Sequence, residues 1–425
     1  MSRDSWKVSR LTDIFTVARG GSPRPIDDYI TDDPTGINWV KIGDATASGK
    51  FIHRTREKIR REGLSKTRCV IPGDFILSNS MSYGRPYIMA TEGCIHDGWL
   101  LLRPRDERDI DREFYYYLLG SEILQQRFSA QAAGSAVRNL NIDLVAALEV
   151  EVPPLHEQRR IAEILSSVDE AIAATRAVIE QTRRVKQGVL ERLLTKGIGH
   201  TRFKQTEIGG IPEGWEVASL VGAGVHILDG DRGKEYPKAE DYLSDGHCLF
   251  LSAKNVTRSG FVFEECQYIS EEKHRRLRNG LLQRSDVVVT TRGTIGNFAL
   301  YGQEITSECI RINSGMAILR SIDSAIQPDF LFALSASDLI ERQLARRVFG
   351  SAQPQLTLDI LRKLLVPVPP QHEQRLIAEK ATELREVEKT RRIHLAALER
   401  LKSSLMSDLL TGRKRVTDAL PMAAE

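Results

Sequence analysis

The segment Val152-Pro153-Pro154-Leu155-His156-Glu157-Gln158-Arg159-Arg160-Ile161-Ala162-Glu163 decides how this chain is built. It returns as Val368-Pro369-Pro370-Gln371-His372-Glu373-Gln374-Arg375-Leu376-Ile377-Ala378-Glu379. Each matched position is displaced by 216 residues, and the match runs without a gap from Gly134-Ser135-Ala136 (Gly350-Ser351-Ala352) to Leu193-Leu194-Thr195 (Leu409-Leu410-Thr411). Short repeat periods build solenoids. A period of about half the chain instead implies a duplicated domain pair, and an internal pseudo-two-fold is expected.

Downstream of each Pro-Pro pair the composition turns charged and nearly free of glycine. Ile161, Leu165, Val168, Ile172, Thr175, Ile179, Thr182, Lys186, Val189 and Leu193 alternate spacings of four and three, which is a heptad seam. The second copy carries it as Ile377, Ala381, Leu384, Glu388, Arg391, Leu395, Leu398, Lys402, Leu405 and Leu409, with a lysine at the same place in both. Proline suits a first helical turn, whose N–H groups have no intrahelical partner. Glycines at 197 and 412 suit the helix ends. Two helices of about 40 residues, each about 60 Å long at 1.5 Å per residue, are predicted. Neither can bury its stripe alone, so they are expected to pack together, antiparallel if a two-fold relates the halves.

Upstream of each helix lies a mixed region of short apolar runs broken by Gly, Pro, Asp and Asn. Ile37–Ile42, Asp74–Leu77, His247–Leu251 and Asp286–Thr291 have strand-like length and β-branched content. Helical patterns close the regions at Phe114–Phe128 and Phe330–Val348. The fold class that follows is α+β, with two mixed α/β domains (1–151 and 215–367) and two long antiparallel helices (152–198 and 368–413). A linker over 199–214 and a tail over 414–425 complete the division.

Length alone favours about three domains, and a composition 28% charged and 41% hydrophobic is that of a globular chain. A net charge of +3 gives no global field, so any nucleic-acid role must rest on local patches. The five cysteines contain no CxxC pair, which argues for a reducing compartment and against zinc. Met1-Ser2-Arg3-Asp4-Ser5-Trp6 lacks an apolar signal segment and no long uncharged apolar run follows, so a cytoplasmic chain with no membrane partner is expected.

Catalytic motifs fail one by one. His156-Glu157 and His372-Glu373 lack the second histidine of a zinc protease, Arg160 and Leu376 standing there. Gly43 to Phe51 has the wrong spacing for a phosphate loop, and Phe51 replaces the hydroxyl that would hold magnesium. Glu271-Glu272-Lys273 lacks a Pro-Asp partner for a nuclease, and neither Pro-Pro pair has the aromatic neighbour of an amino-methyltransferase loop. No catalytic residue and no metal site is predicted.

Basic and polar clusters recur at matching stages of the halves. Arg54, Arg56, Lys58, Arg60 and Arg61 have a counterpart in Lys273, Arg275, Arg276 and Arg278. The loops Ser78-Asn79-Ser80 to Arg85 and Thr291-Arg292 to Asn297, the second including Thr294, place hydroxyls, an amide and an arginine at a strand end. Such groups neutralise phosphates and read base edges, so all are candidate DNA-binding residues. A solvated helix face or a tight hairpin would account for any one of them singly.

Pro153-Pro154-Leu155-His156-Glu157-Gln158-Arg159-Arg160-Ile161-Ala162-Glu163-Ile164-Leu165 resembles the helix start of the specificity subunit of type I restriction–modification systems. So do Leu193–Ile198, Thr206–Gly209, Ile211–Val217 and the ending Leu409–Val416. Gln371 and Ala381 depart from it, replacing leucines. The resemblance spans essentially the whole chain. It implies two target recognition domains, each reading half of a bipartite asymmetric DNA site, with the helices setting the spacer. The subunit it implies is non-catalytic and binds no cofactor of its own. It partners double-stranded DNA, two modification subunits carrying S-adenosylmethionine for adenine N6 methylation, and two restriction subunits using ATP and Mg. The helix starts, His156, Glu157, Gln158 and Arg159 with His372, Glu373, Gln374 and Arg375, are the candidate subunit interface. A coiled-coil scaffold without DNA readout is the competing reading, and a self-sufficient methyltransferase or nuclease is a more distant one.

Overall fold

Both Pro-Pro-anchored segments are helices in the computed structural model, Leu155–Lys196 of 42 residues and Gln371–Leu409 of 39. The structure describes residues 6–46, 49–79, 84–133, 140–348 and 355–416. Gly197 and Gly412, at φ +63° and +65°, end the two helices in the left-handed conformation that glycine adopts without strain. The chain is α+β and divides into two units, Met1–Arg176 with Ile393–Glu425, and Ala177–Arg392. Each unit therefore holds one mixed region, one end of its own long helix and the opposite end of the other.

Within each unit the two helical segments run antiparallel. In the first, Lys402 lies 2.6 Å from Asp169 and Arg176 lies 2.6 Å from Glu399, so numbering rises along one helix as it falls along the other. In the second, Lys186 pairs with Glu388, and the end of the first helix reaches the start of the second where the Ile198 amide donates to Glu373. Lys186 and Lys402 occupy the same repeat position, and each meets a carboxylate of the facing helix. Polar pairs at seam positions fix register at some cost in stability.

Ile161, Leu165, Ile172 and Ile179 are buried as the heptad predicts, but Val189 is 37% exposed and Leu190 and Leu194 are buried instead. A straight helix drifts by about 20° per heptad. Over four heptads that approaches the roughly 100° separating adjacent residues, so the buried stripe moves on by one position.

The first unit carries two five-stranded sheets. One orders Phe15–Arg19, Trp99–Pro104, Phe75–Ser78, Pro86–Met89 and Phe51–Ile52. The other orders Ile30–Thr31, Glu57–Ile59, Ile37–Val40, Gly93–Ile95 and Arg68–Val70. The second unit has a four-stranded sheet, Val225–Asp229, Met316–Ser321, Val287–Thr290 and Phe298–Leu300, and a three-stranded one, Tyr268–Ile269, Cys248–Leu251 and Ile310–Ile312. The strand that opens each mixed region pairs antiparallel with the strand entering the long helix, Lys7 opposite Val152 and Glu216 opposite Val368. The stretch read as a linker contains a hairpin, Phe203–Thr206 with Gly209–Pro212. The two closing helical patterns each split, at Gly120-Ser121 and at Ala336-Ser337, into Arg112–Leu119 and Glu122–Ala133, and Pro328–Ser335 and Asp338–Val348.

Each main core draws on both long helices. Ile161, Leu165, Leu409 and Leu410 join Phe15, Phe75 and Phe114 in the first unit, while Leu190, Leu194, Ile377 and Ala381 join Trp215, Val287 and Phe330 in the second. The repeat extends to single ion pairs. Arg103 clasps buried Asp74 at 2.6 and 2.8 Å, and Arg320 clasps buried Asp286 at the same two distances.

Candidate nucleic-acid interface

The helix starts proposed for a subunit interface are divided by burial. Glu373 is 4% exposed and accepts from the Ile198 amide (2.8 Å), the Trp215 indole (2.9 Å) and His200 (3.0 Å). Glu157 repeats this with the Trp6 indole at 3.0 Å and the Arg415 guanidinium. Burial pushes both carboxyls up, but these donors outweigh it and hold both below the ordinary carboxylate value. Gln158 accepts from the Asp111 amide and donates to the Asp109 and Pro153 carbonyls; Gln374 accepts from Gln327 and donates to Ala325 and Pro369. These four side chains therefore join each mixed region to its helix inside the unit and have little left to offer a partner. His156, Arg159, His372 and Arg375 are exposed.

The basic clusters differ between units. In the first, Arg54 and Arg56 lie in the loop before the strand Glu57–Ile59, and Arg60 and Arg61 open the short turn of helix after it. All four are exposed, and among the described residues none has an ion-pair partner. Lys58 instead bonds the Pro34 carbonyl. In the second unit, Glu271–Arg276 forms a helix capped by Ser270. Arg275 and Arg276 meet Glu271 and Glu272 one turn back at 2.5 Å, and Lys273 meets Asp241 at 3.1 Å. Arg278 is exposed, and its backbone amide is held by buried Asp231 at 2.7 Å. Exposed ion pairs are worth little in water, so phosphate can displace them, but the second cluster starts partly neutralised.

The two polar loops share one construction. The Gly84 amide reaches the Ser78 carbonyl at 2.7 Å, and the Gly296 amide reaches the Thr290 carbonyl at 3.0 Å. Both closing glycines have positive φ, +74° and +80°. Several proposed base readers are consumed by this closure. Ser78 accepts from the Arg85 amide, and Asn79, fully buried, accepts from Leu140 and donates to Asp97. Asn297 donates to the Val256 carbonyl, and Thr291 is 3% exposed. Ser78, Asn79 and Asn297 thus spend these hydrogen bonds on their own surroundings, since short polar side chains satisfy neighbouring backbone as readily as a ligand, whereas the Thr291 hydroxyl is buried with no hydrogen-bond partner among the described residues. Arg292 and Thr294 are exposed, Arg85 is half-buried over the Tyr87 ring, and Ser80 lies outside the described residues.

The family described as type I restriction modification DNA specificity domain matches residues 3–182 and again 212–397. The chain belongs to that family. It is 26% identical over 420 residues to the type I restriction enzyme MjaVIII specificity subunit of Methanocaldococcus jannaschii, covering 97% of this chain and 94% of that one. It is 24% identical over 324 residues to the EcoBI specificity subunit of Escherichia coli, covering 72% and 66%. Its fold matches the crystal structure of the type I restriction–modification S subunit from M. genitalium with a TM-score of 0.56 at 16% identity, over 98% of each chain. As a type I specificity subunit it is a non-catalytic component. Among the described residues no helix is long and apolar enough to cross a membrane.

In this specificity subunit the sequence reading missed Arg311. It is 4% exposed and donates to the carbonyls of Asn279 (2.6 Å), Leu277 (3.1 Å) and His274 (3.2 Å), tying the basic segment to the sheet. Its only signal was an arginine inside an apolar strand. The difference between the clusters has a measurable consequence. Neutralising Arg54, Arg56, Arg60 and Arg61 should flatten the salt dependence of DNA binding, by about 0.9 in log–log slope for each phosphate that no longer meets a cation. Neutralising Arg275, Arg276 and Arg278 should flatten it less for each arginine removed, because two of them already have carboxylate partners. Fluorescence-anisotropy titrations of the assembled complex across a salt series measure both slopes, and equal flattening per arginine would show that the internal pairs do not matter.

Proposed function

We propose that this chain is the DNA-reading subunit of a type I restriction–modification complex, with each unit reading one half of a bipartite, asymmetric site. The observation that carries this reading is the repetition of one architecture on diverged loops, each with an exposed arginine cluster at the same stage of the chain. In this reading the subunit works in the cytoplasm and recruits two modification subunits, which bring S-adenosylmethionine to adenine N6. Two restriction subunits supply ATP- and Mg-dependent translocation and cleavage. The chain's own contribution is positional. Guanidinium groups neutralise phosphates and set orientation, while groups at the exposed loops discriminate bases. The exposed helix-start residues, His156, Arg159, His372 and Arg375, are the ones left to meet a modification subunit.

Replacing residues 1–151 by the corresponding domain of another specificity subunit is the test. Methylome sequencing of cells carrying the chimera and the modification subunit should show one half-site changed and the other retained. Both half-sites changing together would remove the two-reader model. A scaffold without readout would leave the methylated sequence unaltered.

A further inference from the structure

Three side chains that DNA reading leaves unused meet at one edge of the second unit's three-stranded sheet. His247 immediately precedes the strand Cys248–Leu251, Cys309 immediately precedes the strand Ile310–Ile312, and His274 lies on the helix Glu271–Arg276. The strands are parallel neighbours with Leu249 opposite Ile310, so Cys309 is level with Cys248, the residue after His247. The Cys309 Sγ is 3.4 Å from the His274 Nδ1, and the rings of His247 and His274 lie edge to face with centroids 5.3 Å apart. One donor atom from each residue lies within 4.8 Å of the other two.

We propose that His247, His274 and Cys309 form a binding site for a thiophilic divalent transition-metal ion, with Zn2+ as its expected occupant. Zinc binds imidazole nitrogen at about 2.0 Å and thiolate sulfur at about 2.3 Å. Tetrahedral angles then place nitrogen and sulfur about 3.5 Å apart, which the Cys309–His274 distance of 3.4 Å already meets. His247 is exposed, and its side chain is free to swing the remaining distance inward. Two imidazoles and one thiolate are a borderline-soft set that disfavours Mg2+ and Ca2+. The fourth position is left to water.

The surroundings prepare the donors. The Arg311 Nε donates to the His274 Nδ1 at 3.1 Å, so that nitrogen carries a lone pair and no proton. On binding, the ion takes the His274 lone pair, and the Cys309 thiol releases its proton to solvent. The resulting thiolate offsets part of the ion's charge beside Arg311, which keeps its three carbonyl acceptors. The bound ion would fasten the helix bearing Lys273, Arg275 and Arg276 to the sheet beneath it. No second group of this kind occurs among the described residues.

The test is a Co2+ titration of the tag-free full chain, stripped with chelator and kept reduced. The expected result is a thiolate-to-cobalt charge-transfer band with four-coordinate d–d bands, saturating at one equivalent and bleached by Zn2+. Cys309→Ser should abolish the charge-transfer band. His247→Asn removes an exposed ring without disturbing the fold, and should weaken cobalt binding by more than about tenfold. Cys69→Ala, in the other unit, should change neither. Absence of the thiolate band in the parent chain overturns the proposal, as does its persistence in Cys309→Ser or its loss in Cys69→Ala.

Discussion

Replacing Glu373 by alanine should destabilise the protein by about 2–5 kcal/mol, because each buried donor left without an acceptor costs about 1–3 kcal/mol. The fully buried indole N–H of Trp215 would be stranded, and the part-buried hydrogen bond from the Ile198 amide to the carboxylate, of a kind worth about 1.5–3 kcal/mol, would be lost as well. The effect should also depend on pH in a fixed direction. The Glu373 carboxyl in the folded chain titrates below its ordinary 4.5. Its stabilisation is therefore complete above the unfolded value and is lost as pH falls through the lower folded value. Glu373→Gln, which keeps an acceptor oxygen but cannot titrate, should flatten the acid limb of stability while costing less at neutral pH. Urea unfolding of both variants across that range, followed by circular dichroism, measures this. A Glu373→Ala midpoint equal to the parent's would show that the three donors find other acceptors.

Lengthening both long helices by four residues, after Arg176 and after Arg392, should shift the spacer of the methylated site and leave its half-sites unchanged. Those points are the boundaries between the two units. The pairs Lys402–Asp169 and Arg176–Glu399 lie within one unit and Lys186–Glu388 within the other, so the insertions interrupt none of them. Four residues add about 6 Å at 1.5 Å each, which corresponds to one or two base pairs at about 3.4 Å per step. They also add about 40° beyond one full helical turn, close to the roughly 35° twist of one base pair. A spacer longer by about one base pair is the expected methylome. An active variant with unaltered spacing would show that the helices do not set the distance.

Much of this architecture was legible because it is written twice. The constant displacement of the Pro-Pro-x-His-Glu-Gln-Arg segments exposed the duplication, and glycine-free, periodic stretches exposed the helices. Burial was harder to read. Ser78, Asn79 and Asn297 have the inventory of base readers, yet the same short reach lets them close their own loops. The i, i+4 spacing of Glu271–Arg275 and Glu272–Arg276 was visible, but the segment was read for its basic residues and its internal neutralisation was passed over. The seam strayed after Ile179 because a strict heptad was extended along a helix whose true period is longer. His247, His274 and Cys309 come from three elements far apart in sequence, so adjacent-cysteine spacing had no means of finding them.

The first unit is made from two stretches far apart in sequence, Met1–Arg176 and Ile393–Glu425. Its joint closes only when Arg415 reaches Glu157 and Gly412 settles near the Trp6 ring. A ribosome releases residues in order, so the unit begun first must wait for the stretch from Ile393 to Arg415 before it is complete. The second unit, Ala177–Arg392, is contiguous and needs no such return. Its maturation can finish before Arg415 has been made, while that of the first cannot. A nascent chain stalled short of Arg415 would then carry one finished unit and one still open, a state that proteolysis of stalled chains would reveal as protection confined to residues 177–392.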